Sequence, residues 1–168
     1  PPPADVILVG DLFYEKDLAA RVYDWLLRAE AQGSAVLIGD PGYPCNRHFV
    51  TFVDGRPRLV PTDASTGYQV SAAALSGAWT PATRAVITAS PSNPTGTSIP
   101  PEEQAAIADL CRDRGATLIA DEIYQGLTYG HEPHTVLAHG DEAYVVNSFS
   151  KYFQMTGWRV GWLVVPDG

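Results

Sequence analysis

Short apolar runs rich in β-branched residues alternate along the chain with segments in which apolar residues recur at helical spacing. The predicted strands cover residues 5–10, 35–39, 58–61, 84–89, 117–120, 143–147 and 160–165. The predicted helices cover residues 15–32, 46–54, 71–79 and 101–114. Because strands buried on both faces alternate with helices, the pattern predicts an α/β layered fold with a mostly parallel sheet.

Polar and aromatic residues follow four of these predicted strands, at positions 40–43, 90–93, 121–124 and 148–151. Ligands of parallel sheets bind beyond the carboxyl ends of the strands. We therefore expect these four segments to line a single crevice.

Composition narrows the classes of function. The 168 residues carry a formal net charge of −8 and no cluster of Lys or Arg, which argues against nucleic acid and anionic membranes as partners. No apolar run approaches the roughly 20 residues that span a bilayer. Cys45 and Cys111 are far apart, which predicts a reducing compartment and a cytoplasmic location. The four histidines have no metal-ligand spacing, so no metal site is predicted.

Four residues at the predicted strand ends carry candidate chemistry. Aromatic residues surround Lys151 in the sequence, at positions 149, 152 and 153, and an apolar setting favours a lysine that acts as nucleophile or base. The alternative is that Lys151 is a solvent-exposed lysine without a catalytic role. The amide of Asn93 could donate to a ligand oxygen, although its segment is also typical of a tight turn. Asp121 could instead cap a helix, and Tyr43 could be a core aromatic.

Three strings in this order are specific: SNPTG at 92–96, DEIY at 121–124 and SFSKYFQMTGWRVGW at 148–162. With them, residues 40–166 resemble the fold-type-I, pyridoxal-phosphate-dependent aminotransferases of classes I and II. The resemblance implies a three-layer α/β/α large domain, pyridoxal 5'-phosphate as cofactor, and transfer of an amino group between an amino acid and a 2-oxo acid. It also implies that full-length relatives are homodimers.

The same resemblance assigns catalytic roles. Lys151 is the Schiff-base lysine and moves a proton from the substrate Cα. Asp121 keeps the pyridine nitrogen protonated, which makes the ring a better electron sink. Asn93 and Tyr124 donate hydrogen bonds to the phenolate oxygen of the cofactor.

Four further residues are implied to bind the cofactor. Arg159 holds the phosphate, since a planar guanidinium suits that oxyanion. Ser148 and Ser150 are expected beside it. Tyr43 is expected to stack on the ring face.

The first forty residues depart from this family, because no small-residue loop for the phosphate precedes residue 40. Residues 5–42 resemble the late β-α-β unit of a class I S-adenosylmethionine-dependent methyltransferase. We therefore predict a methyltransferase-like segment at 1–39 and an aminotransferase core at 40–168, packed as one α/β domain and joined as a chimera.

Other functions remain open at this point. A β-lyase or a decarboxylase would use the same cofactor residues, and fold alone does not separate these reactions. A non-catalytic fragment and a methyltransferase-derived protein are further alternatives. Because the family places an arginine that binds the substrate carboxylate in a small domain not recognised here, we expect a fragment of low catalytic competence.

Overall fold

The computed structural model describes residues 7–10 and 34–166, and for residues 7–10 it describes the backbone alone. The strands are β1 (Ile7–Gly10), β2 (Ala35–Asp40), β3 (Arg56–Pro61), β4 (Thr83–Ala89), β5 (Thr117–Asp121), β6 (Tyr144–Ser148) and β7 (Val160–Val164). The α-helices are α1 (Pro44–Phe52), α2 (Ala72–Ala78) and α3 (Pro101–Asp113). Short 3-10 helices cover Ala64–Thr66, Val136–His139 and Thr156–Trp158.

All seven described strands belong to one sheet, in the order β1-β7-β6-β5-β4-β2-β3. Strands β3, β2, β4, β5 and β6 run parallel to one another, whereas β7 is antiparallel to both β6 and β1. The predicted mostly parallel sheet is therefore confirmed. The position of β1 beside β7, and not beside β2, could not be read from the order of elements in the sequence.

Helices cover both faces of the sheet. Leu37 of β2 and Val86 of β4 face a large apolar cluster that includes Leu75 of α2 and Ile107 of α3. The alternate positions of the same strands, such as Ile38, face a smaller cluster on the opposite side with Val50 of α1. This alternation follows from the two-residue period of a strand, and it produces the predicted three-layer α/β/α architecture.

The predicted boundaries agree with the structure to within about two residues, as the fraying of helix and strand ends allows. Helix α1 was predicted at 46–54 but begins at Pro44, because proline suits the first turn of a helix. It ends two residues earlier than predicted, since Asp54 adopts φ 56° and leaves helical geometry. The predicted helix at 15–32 lies outside the described residues.

A side chain of α3 forms a hydrogen bond with the backbone at the start of α2. Glu103, in the first turn of α3, accepts a hydrogen bond of 2.6 Å from the backbone N–H of Ala72 at the start of α2. The Ser71 hydroxyl caps α2 by accepting from the N–H of Ala74 at 3.1 Å. These bonds satisfy N–H groups that a helix leaves unpaired at its amino end.

Candidate active site

The four strand-end segments predicted to share a crevice follow β2, β4, β5 and β6, which are neighbours in the order β6-β5-β4-β2 and run parallel. Backbone bonds continue the sheet beyond the strands: the N–H of Ser90 donates to Asp121 O at 3.0 Å, and the N–H of Glu122 donates to Val146 O at 2.9 Å. The four segments therefore begin at the same edge of the sheet, and their lining of one crevice stays a prediction.

Asp121 is the last residue of the central strand β5. One carboxylate oxygen accepts a hydrogen bond of 3.0 Å from the N–H of Ile123. Burial raises the pKa of the Asp121 carboxyl, while the Ile123 N–H and the positive charge of Lys151 act in the opposite direction. A buried carboxyl with few donors is suited to a cationic N–H partner, which would stabilise its ionised form.

Lys151 lies in the loop after β6 and faces Tyr124 in the loop after β5. Its Nζ is 5.7 Å from the centroid of the Tyr124 ring. The predicted apolar surroundings are more open than expected, because Tyr152 and Phe153 are 52% and 48% exposed. The Tyr152 ring covers Gly126, where an added Cβ would lie 2.8 Å from a ring carbon, and so it holds the two loops together.

The hydroxyls of Ser148 and Ser150 lie 2.8 Å apart, and both residues are buried. The Ser148 hydroxyl also accepts the N–H of Ser150 at 2.9 Å. The Thr156 hydroxyl donates to Ser150 O at 2.7 Å, and Arg159 Nη1 donates to Thr156 O at 2.9 Å. Thr156 thus connects Arg159 to the two serines, which makes this cluster a donor-rich corner of the crevice.

Asn93 and Tyr43 occupy the other side of the crevice. Asn93 follows β4 and is partly buried, and among the described residues its amide makes no hydrogen bond. Tyr43 follows β2, two strands from Asp121, and is 40% exposed. The structure brings both residues to the predicted edge of the sheet.

Two buried polar residues next to the crevice were not predicted as site residues. Glu122 belongs to the DEIY string, yet no role was assigned to it, although an acid beside Asp121 was a usable signal. Gln104 lies on the same face of α3 as Ile107 and Cys111, and a polar residue on an apolar helical face was the second signal.

The remaining candidate residues form no competing site. Among residues 34–166, no group of three or more His, Cys, Asp or Glu side chains could hold a metal ion. His134 and His139 pair with each other, Nε2 to Nε2, at 2.8 Å. No helix in the described part of the chain is long and apolar enough to cross a membrane.

Comparison with known proteins identifies the family. The family model for aminotransferase class I and II matches residues 20–167. The chain is 47% identical over 136 residues to valine–pyruvate aminotransferase of Mycobacterium tuberculosis, a match that covers 80% of this chain and 35% of that protein. It is 34% identical over 140 residues to an aspartate aminotransferase of Geobacillus stearothermophilus, which covers 80% of this chain and 36% of that protein. The chain belongs to the class I and II aminotransferase family.

Solved structures give the same result. An aminotransferase from M. tuberculosis superposes with a TM-score of 0.83 at 40% identity, covering 96% of this chain and 41% of that chain. Aspartate aminotransferase from Thermus thermophilus gives a TM-score of 0.83 at 29% identity, covering 96% of this chain and 41% of that one. The sequence thus spans about a third of the length of the curated relatives it matches.

The crevice suits the cofactor of this family, pyridoxal phosphate. It offers a primary amine on Lys151, a buried carboxyl on Asp121 for a cationic nitrogen, and an amide on Asn93 that has no hydrogen-bond partner within residues 34–166. The corner formed by Ser148 and Arg159 supplies hydroxyl and guanidinium groups for an oxyanion.

Proposed function

We propose that this chain forms the cofactor-binding part of a pyridoxal-phosphate-dependent transaminase, which moves an amino group between an amino acid and a 2-oxo acid. The observation that carries the proposal is the convergence of Lys151, Tyr124 and Asp121 at the ends of adjacent parallel strands, with Lys151 Nζ 5.7 Å from the Tyr124 ring. The family match supports the reaction class.

Each residue of this group has a separate task. Lys151 Nζ would hold the cofactor at its aldehyde group and would serve as the base that takes a proton from the substrate Cα. The Asp121 carboxylate would accept a hydrogen bond from the pyridine nitrogen and keep it protonated. The Tyr124 hydroxyl and the Asn93 amide would donate to the phenolate oxygen. When bound, the cofactor supplies the electron sink that stabilises negative charge at the substrate Cα.

The serine and arginine corner is proposed to bind the phosphate. Arg159 presents its guanidinium, and Ser148 and Ser150 present hydroxyls that now contact each other. Tyr43 is proposed to cover one face of the ring. Charge-assisted hydrogen bonds of this kind are about twice as strong as neutral ones, so Arg159 is expected to contribute most to retention of the phosphate.

Borohydride trapping tests the proposal directly. The chain has two lysines, Lys16 and Lys151. After mixing with pyridoxal phosphate, reduction and digestion, mass spectrometry should find the pyridoxyl group on the Lys151 peptide. Lys16→Ala should retain this label and Lys151→Ala should lose it. Labelling divided equally between the two lysines would contradict the assignment of Lys151.

The reaction is tested by product analysis. Valine with pyruvate is the first pair to assay, because the relative at 47% identity is named a valine–pyruvate aminotransferase. A new amino acid together with a new 2-oxo acid would support transamination. Ammonia release would indicate a β-lyase, and loss of carbon dioxide a decarboxylase.

Three further features are proposals on the same basis. The two-part organisation at 1–39 and 40–168 remains a prediction, and the family match from residue 20 extends into the first part. Long sequencing reads through the locus would test it, since an intact aminotransferase half upstream would contradict a chimera.

A homodimer, as the family implies, is testable by light scattering. The two free cysteines support a cytoplasmic location.

A further inference from the structure

A small buried cavity lies between α3 and the carboxyl-terminal ends of β4 and β5. Its volume is about 10 Å³, close to the minimum that one water molecule needs. Its polar lining includes Ser90, Gln104 and Glu122, of which Gln104 and Glu122 are each 5% exposed. The rest of the wall is mainly apolar.

The Gln104 amide is incompletely paired. Its Nε2 donates to Ile99 O at 3.3 Å and to the Ser90 hydroxyl at 3.4 Å. Its Oε1 is the only buried side-chain polar atom without a hydrogen-bond partner in the described part of the chain. A flipped amide would place Oε1 against the carbonyl of Ile99, two acceptors face to face, so the observed orientation is the favourable one.

Glu122 lines the same cavity. One of its carboxyl oxygens accepts the N–H of Val136 at 2.8 Å, at the start of a 3-10 helix. Burial raises the pKa of the Glu122 carboxyl, and the negative charge of Asp121 raises it further, although the Val136 N–H and the Thr135 side chain act in the opposite direction. A protonated carboxyl has an O–H to donate, and an unpaired acceptor faces the cavity.

We propose that Glu122 carries a proton in the folded chain and donates it in a hydrogen bond to Gln104 Oε1, directly or through one water molecule in the cavity. Within the described part of the chain, the link pairs the one unpaired buried side-chain acceptor with the acid that lines the same cavity. A protonated Glu122 is neutral and places no charge in the apolar interior, whereas an ionised Glu122 would have to lose its hydration next to Asp121.

This link makes Glu122 and Gln104 positioning residues for the proposed cofactor site, and that consequence rests on the proposed function. Gln104 contacts Ser90, which begins the loop that carries Asn93. Glu122 follows Asp121 directly. The hydrogen bond therefore fixes the spacing between two loops whose polar groups must contact opposite parts of one ring.

A double-mutant cycle without cofactor tests the link. Gln104→Met and Glu122→Met are measured singly and together by urea unfolding. We expect the two changes to be non-additive by roughly fivefold in the unfolding equilibrium constant. Additive effects would overturn the link. Glu122→Gln, which keeps both a donor and an acceptor, is expected to restore near-native stability if Glu122→Met does not fold.

Infrared spectroscopy tests the proton itself. At pH values above 4.5, where an ordinary glutamate is ionised, the folded chain should show the carbonyl stretch of an un-ionised carboxylic acid, which is lost in Glu122→Gln. The band should shift in Gln104→Met, because its hydrogen-bond acceptor is gone. A merely structural role of Gln104 would leave the band unmoved, and absence of the band in the folded chain would refute the protonated state.

The positioning role is tested by affinity for pyridoxal phosphate, measured by titration and followed by trapping on Lys151. Gln104→Met should weaken binding by roughly tenfold, the scale seen when residues that orient ligand groups are lost, and Leu75→Ala serves as a destabilised control away from the crevice. Equal affinity in wild type and Gln104→Met would overturn the role. If wild type is not labelled at Lys151, the proposed function fails. The double-mutant cycle and the infrared band would still test the hydrogen bond between Glu122 and Gln104.

Discussion

Gly161 is the position at which one added methyl group should disturb the candidate site most sharply. This residue lies in β7, is buried, and pairs with Ser148 of β6 on one side and Val9 of β1 on the other. A Cβ built at Gly161 would lie 2.6 Å from the carbonyl oxygen of Asn147 and 3.4 Å from the Cα of Ser148. Backbone atoms cannot rotate away, so β7 must move from β6.

The size of the effect follows from this geometry. Real Cβ atoms essentially never approach within 3.0 Å of such a neighbour, so the strands must separate by several tenths of an ångström beside Ser148. Overpacking of this kind costs about 1–3 kcal/mol. That loss corresponds to roughly a 5- to 140-fold change in the unfolding equilibrium constant. Cofactor affinity should also fall, because Ser148 is the residue of β6 that pairs with Gly161, and Arg159 directly precedes β7.

The assay is urea unfolding of Gly161→Ala beside Gly157→Ala. Gly157 has nothing within 4 Å of its built Cβ, so it serves as a matched control for the same chemical change. We expect a lower midpoint for Gly161→Ala alone, with an unchanged dependence on urea concentration. Equal midpoints for the two variants would refute the reasoning from close backbone approach.

Three other predictions concern caps, thiols and pH. Ser71→Ala removes the hydroxyl that caps α2 and should cost about 1 kcal/mol in urea unfolding; an unchanged midpoint would contradict it. Burial raises the pKa of the Cys111 thiol to about 12, so alkylation of the folded chain should label the partly exposed Cys45 first; equal rates would be inconsistent with burial. Because the pKa of Glu122 is raised above 4.5, its stabilising contribution is full below that pH and is lost as the pH rises through the folded value. Glu122→Gln keeps the donor and the acceptor of the protonated acid and does not titrate, so its stability should be near that of wild type at low pH and should exceed it by a growing margin as the pH rises; a difference that does not grow would contradict the raised pKa.

The strands and helices of the described part of the chain could be predicted from local pattern, because each buried strand is a continuous apolar run and each helix shows one apolar face. The positions at which the strands end could be predicted from the same pattern of apolar residues. Since parallel strands place their carboxyl ends at one edge, Asp121 and Lys151 could be assigned to one crevice from the sequence alone. The specific strings at 92–96, 121–124 and 148–162 then indicated the family, which the comparisons confirm.

Contacts between distant segments could not be predicted in this way. The place of β1 beside β7 depends on which strand edge is available, and sequence order gives no information on it. The exposure of Tyr152 and Phe153 likewise contradicted the expectation of an apolar setting around Lys151. The exposure of a side chain depends on which other segments pack over it, and the neighbouring sequence does not identify those segments.

The sequence by itself therefore determined the fold class, the family and the edge of the sheet at which the chemistry lies, because these depend on periodicity and on short strings. Only the tertiary structure decided that Gln104 and Glu122 face one cavity and that Thr156 connects Arg159 to Ser150. Gln104 and Glu122 lie on different elements of the chain, and the hydrogen bonds that Thr156 makes with Ser150 and Arg159 require separations near 3 Å. Such separations are fixed by the packing of whole helices and strands, not by the residues that finally make the contact.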